Sequence, residues 1–80
     1  MNDKYKNYLV DLGFLVKERA LESKVTKQGE QKDSSNYIYE TGRLMAFNEM
    51  ISIMQQQAEG FEIELSELNL EGIEPDRDLI

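Results

Sequence analysis

Between residues 35 and 59 two apolar series run side by side at helical spacing. Tyr39, Arg43, Ala46, Met50, Ile53 and Gln57 recur at intervals of four and three, and Tyr37, Glu40, Leu44, Phe47, Ile51, Met54 and Ala58 repeat the interval beside them. Each series marks one seam of an α-helix. A helix with two apolar seams needs two neighbours, and a short hairpin supplies one, so the second seam predicts association with another chain, most economically a second copy.

Helix 1 is expected over about residues 3–27, capped by Asn2 or Asp3 and ended before Gly29. Tyr5, Tyr8, Leu9, Leu12, Leu15, Val16 and Ala20 form its main apolar arc, the expected intrachain face. A thinner stripe of Val10, Phe14, Leu21 and Val25 lies nearly opposite and is a candidate for a further contact. Residues 28–35 lack any apolar side chain and carry Gly29, Asp33, Ser34 and Ser35, so they read as the connection, with any of the last three able to cap helix 2. Helix 2 is expected to end near Glu59, with Gly60 in the left-handed closing position. Two long helices joined by a short loop pack antiparallel.

Beyond Gly60 the pattern changes. Phe61, Ile63 and Leu65 alternate with glutamates as in a strand, yet Leu65 and Leu68 fit a single helical turn, and no second strand is on offer to pair with. The expectation is an extension docked over residues 60–73 and a mobile acidic end over 74–80, beginning where Pro75 and the Asp76 and Asp78 pair follow Gly72.

The expected fold is therefore all-α: an antiparallel two-helix hairpin with a short acidic C-terminal extension, one domain over residues 1–80, dimerising into a four-helix bundle. Eighty residues bury a modest core, and with no Cys there is no disulfide to supplement it, which also favours a partner chain.

Charge changes the picture of partners. The net charge is −7, and residues 59–80 alone carry all of it, since residues 1–35 balance to +1 and residues 36–58 to −1. An acidic end of this kind repels nucleic acid, which disfavours a phosphate-binding role, and suits a basic protein partner. The start has charges where a signal peptide would be apolar, and no stretch approaches the roughly 18 apolar residues of a membrane span, so the expected location is the cytoplasm with no membrane contact.

Candidate chemistry is sparse. The absence of Cys and His removes thiol nucleophiles, imidazole bases and the usual soft metal ligands, and the five glycines form no phosphate loop. No cofactor, metal site or catalytic residue is expected. Glu40 and Arg43 are the one polar oddity, three residues apart in the seams with Gly42 between them; they fix register across a dimer or form an ordinary surface pair. Candidate interface residues are Tyr39, Glu40, Arg43, Leu44, Phe47, Met50, Ile51 and Met54, with Val10, Phe14, Leu21 and Val25 as a secondary stripe. The expected role is that of a small non-catalytic interaction or regulatory protein working through protein–protein contacts. One alternative is an acidic, nucleic-acid-mimicking inhibitor of a DNA-binding protein or nuclease. Another is a ligand-binding or enzymatic dimer with a site around Glu40 and Arg43.

Overall fold

The computed structural model describes residues 3–80. Two long helices, α1 (Asp3–Gly29) and α2 (Ser35–Gly60), pack against each other and are followed by a 3-10 turn (Leu65–Leu68) and a single-turn helix α3 (Pro75–Asp78). No strand occurs among the described residues: residues 61 and 62 turn the chain, and residues 63 and 64 lead into the 3-10 turn. Asp3 in the first turn of α1 and Lys27 in its last complement the helix dipole. Asn2, the other expected cap, lies outside the described residues.

Of the three possible caps for α2, Ser34 serves. Its backbone is extended and its Oγ accepts the Tyr37 N–H at 3.2 Å, while Asp33 takes a left-handed φ of 68° in the turn before it. At the far end α2 runs through Gly60, and the left-handed position falls on Glu62 (φ 58°) instead. There the Ile63 N–H bonds the Ala58 carbonyl at 2.8 Å and the Glu62 N–H the Glu59 carbonyl at 3.1 Å, the paired closure of a Schellman motif. The 3-10 turn ends the same way, with Asn69 left-handed (φ 55°) and the Leu70 N–H bonded to the Leu65 carbonyl. The two closures turn the chain back onto the hairpin.

The segment that follows does not behave as expected. The sequence leaves residues 74–80 as a free acidic end, but Pro75 is buried, and Leu79 is fully buried in one cluster with Ala20, Leu44, Ile51 and Ile73, against which Val16 and Phe47 pack. Of the four large hydrophobic side chains that are fully buried, Leu44 and Ile51 belong to α2, and Leu70 and Leu79 to the chain between the 3-10 turn and Ile80. It lies along the helices as a third core element, its way marked by Asn69 at Val10, Glu71 at Lys17 and Ile80 at Lys24.

An irregular strap in a core must satisfy its backbone carbonyls, and here side chains do so. Gln55 Nε2 donates to the Leu70 and Ile73 carbonyls at 3.2 and 2.9 Å, Asn48 Nδ2 to that of Pro75 at 2.9 Å, and Lys17 Nζ to that of Glu71 at 3.2 Å. Lys24 Nζ does the same for Ile80.

The face of α1 also departs from the expected arc. Its buried residues are small, Gly13, Ala20 and Ser23, whereas Tyr5, Tyr8, Leu9 and Leu15 are exposed. At Gly13 the approach is closest: an added Cβ would lie 2.9 Å from the Leu68 carbonyl carbon and nearer still to its oxygen. Gly13, not Gly42, admits another backbone; Gly42 faces open space.

Candidate interaction surface

The eight residues expected at an interface divide into three groups. Glu40, Leu44 and Ile51 are buried inside the hairpin, at 6, 1 and 0 % exposure, so they belong to the intrachain core and correct that part of the expectation. Arg43, Phe47 and Met54 are half-buried at its edge, and Tyr39 and Met50 are exposed. Of the secondary stripe, Phe14, Leu21 and Val25 are exposed and Val10 is half-buried beside the strap.

Glu40 and Arg43 hold register within one chain. The fully buried Ser23 of α1 donates its hydroxyl to Glu40 Oε2 at 2.7 Å, and Arg43 Nη1 lies 3.1 Å from both carboxylate oxygens. The Ser23 hydrogen bond lowers the Glu40 pKa, Arg43 adds to the effect, and burial opposes both. Arg43 is pinned further by two rings, its guanidinium carbon 5.6 Å from the Phe47 centroid and 6.0 Å from that of Tyr39. No buried side-chain polar atom of the trio lacks a partner. It forms a structural bolt between α1 and α2, with its serine fully buried.

The surface grooves lie elsewhere. An open one of about 670 Å³ at the α2 end of the hairpin has Glu59, Glu62, Glu64 and Asp76 on its walls. A smaller one of about 420 Å³ lies between Lys6, Leu9 and Leu68. No group of three or more acidic side chains among the described residues is placed to hold a metal ion, and no described helix is long and apolar enough to cross a membrane.

What remains is a face. The strap engages α2 through Asn48 and Gln55 and α1 through Val10, Lys17 and Lys24. At 100° per residue the seam of Tyr39, Ala46, Met50 and Ile53 falls on the other flank of α2, and Tyr8 and Leu15 on the corresponding flank of α1. Tyr39 is 65 %, Met50 43 % and Ile53 53 % exposed, and Tyr8 and Leu15 are uncovered with them. The strap covers one side of the hairpin and leaves this one open. Sequence reasoning found this seam on α2; on α1 it assigned Tyr8 and Leu15 to the inner face.

No known protein family, characterised protein or solved structure matches the chain.

Proposed function

We propose that this chain is a small, non-catalytic interaction protein that works through protein–protein contacts on the open face of the hairpin, and that it does so as a homodimer closing a four-helix bundle. The observation that carries this is the exposure of Tyr39, Met50 and Ile53 along one flank of α2 and of Tyr8 and Leu15 on the corresponding flank of α1. Apolar residues gathered on one face mark binding surfaces, whereas single exposed apolar residues do not. The size is adequate. The chain measures 47 × 21 × 16 Å, so a side along its length spans roughly 750 to 1,000 Å² in projection, against about 800 Å² buried per partner in a stable interface.

Met50→Asp and Ile53→Asp test it. Both positions are outside the core, so helix content should persist while light scattering shows the mass fall from two chains to one. A wild-type chain that is monomeric at the concentration of the assay refutes homodimerisation.

A second reading draws on the order of the strap. An inhibitor that imitates nucleic acid needs carboxylates at fixed spacing, and docking of residues 65–79 supplies a fixed frame for Glu67, Glu71, Glu74 and Asp76. Its mark would be binding to a basic protein that weakens steeply with salt and survives Met50→Asp.

A further inference from the structure

We infer that the occupant of the open face is a second copy of this chain set like on like, α1 antiparallel to α1 and α2 antiparallel to α2, about a twofold axis that crosses the helices at the level of Leu15 and Asn48. The inference rests on the homodimer proposed above and adds its register.

The argument starts from α2. The seam positions 39, 43, 46, 50, 53 and 57, all exposed except the half-buried Arg43, are symmetric about position 48. An antiparallel copy centred there sets Ala46 against Met50 of the second copy and Met50 against its Ala46, small against large, as interdigitating layers require. Arg43 then lies against Ile53 of the second copy with its charge already met by Glu40, so only its stem and flanking rings are presented.

The register inside one chain carries this centre across to α1. Ser23 meets Glu40 and Lys27 Nζ sits 5.3 Å from the Tyr37 ring, so facing residues have numbers adding to 63 or 64. Position 48 of α2 is thereby level with positions 15 and 16 of α1. Val16 packs against the core, and Leu15, 43 % exposed, is the one of the two able to meet its own copy on the axis. One helical turn to either side, Asp11 meets Arg19 of the second copy and Arg19 meets its Asp11. Both side chains are exposed, and each is within about 40° of Leu15 around the helix. Two symmetry-related ion pairs thus flank a leucine pair, the self-complementary pattern that an isologous interface demands.

The rival arrangement sets α1 against α2 of the second copy about an axis along the bundle. It would keep the intrachain level relation between the copies, which parts Asp11 of one copy from Arg19 of the other and sets Arg19 near Arg43, whose charge Glu40 already meets. The loss of the two reciprocal ion pairs counts against it.

The chain has no cysteine, so single cysteines report cleanly. Across an interface with axes about 8 to 10 Å apart, a disulfide needs residues at the same level. Leu15→Cys should oxidise to a covalent dimer with helix content unchanged. Ala46→Cys mixed with Met50→Cys should give the mixed disulfide in preference to either self-pair. Asp11→Arg and Arg19→Asp should each raise the dimer dissociation constant about tenfold, two exposed pairs being made repulsive, and the double variant should restore it. A wild-type mass of one chain overturns both the dimer and its register. A dimeric wild type in which Leu15→Cys does not cross-link, or Ala46→Cys pairs with itself as fast as with Met50→Cys, overturns the register alone.

Discussion

Gly13→Ala and Gly42→Ala make the same chemical change in the middle of two helices, and the structure gives them opposite signs. In each, alanine is favoured over glycine by about 0.8 to 1 kcal/mol of helix propensity. At Gly42 nothing lies within 4 Å of the new Cβ, so that gain should appear in full. At Gly13 the new atom would stand 2.9 Å from the Leu68 carbonyl carbon, a backbone atom that cannot swing aside as a side chain would. The 3-10 turn must lift from α1. Lifting weakens the Asn69 hydrogen bond to the Val10 carbonyl, worth about 1 kcal/mol, and begins to expose Leu70, whose burial contributes about 1.5 to 3 kcal/mol. Set against the propensity gain, the net is a loss of about 1.5 to 3 kcal/mol, or roughly 6 to 20 °C in melting temperature for a domain of this size. Urea titration of both variants reads the sign directly, and amide exchange over residues 65–73 should accelerate in Gly13→Ala alone. A Gly13→Ala chain as stable as Gly42→Ala would refute the close approach and with it the docking of the strap.

Leu79→Ala should cost about 2 to 5 kcal/mol, the range for emptying a fully buried leucine site, and ending the chain after Ile73 should cost at least as much; unchanged urea midpoints would mean that residues 74–80 are not part of the core. Acid should destabilise the fold through two carboxyls whose pKa values are lower folded than unfolded, so that each contributes above its ordinary value and loses that contribution as pH falls through the folded one. Asp78, held at about 2 by the Arg77 ion pair and the Glu74 N–H, gives up its share between about pH 4 and 2, and Glu40 begins to lose its own below about 4.5. Urea midpoints measured across that range should fall for the wild type and fall less for Glu40→Gln; an equal fall would show that Glu40 is not the linked group.

The double seam of α2 was fully legible, because a long helix with apolar residues at two sets of intervals admits one geometric reading. Which seam turns inward was not, since both carry comparable bulk. The choice is made by α1, whose inner line of Gly13, Ala20 and Ser23 carries little hydropathy and so hides behind the louder Tyr5, Tyr8 and Leu15. Burial on α1 follows the room that small residues leave for Leu70, Ile73 and Leu79, not the bulk α1 brings itself. The strap was half legible for a related reason. Its apolar residues announced docking as far as Ile73, but the groups that satisfy its backbone, Asn48 and Gln55, sit far away in sequence, one of them in a glutamine run that reads as surface. Leu79, alone after a proline and three charged residues, gives no periodic signal, and only the hairpin groove explains its burial.

The strap also bears on how far association would proceed. A two-helix layer has two broad sides, and if both stayed apolar and open, each copy could recruit a neighbour on either side and stacking would have no natural end. Residues 65–79 fill one side with Leu70, Ile73 and Leu79 and leave glutamates and aspartates outermost there, which makes that side acidic and self-repelling. The open side then remains for a second copy, with Phe14, Leu21 and Val25 exposed along the outer edge of α1, and two such open sides consume each other. The acidic strap, on the assembly proposed here, is what closes the count at two. Loosening it by Leu79→Ala should therefore do more than lower stability: it should raise the mass seen by light scattering above that of two chains as the second side opens, and Met50→Asp in the same chain should not return it to a well-behaved monomer. A Leu79→Ala chain that is destabilised but stays strictly dimeric would show that the limit on assembly lies elsewhere than in the strap.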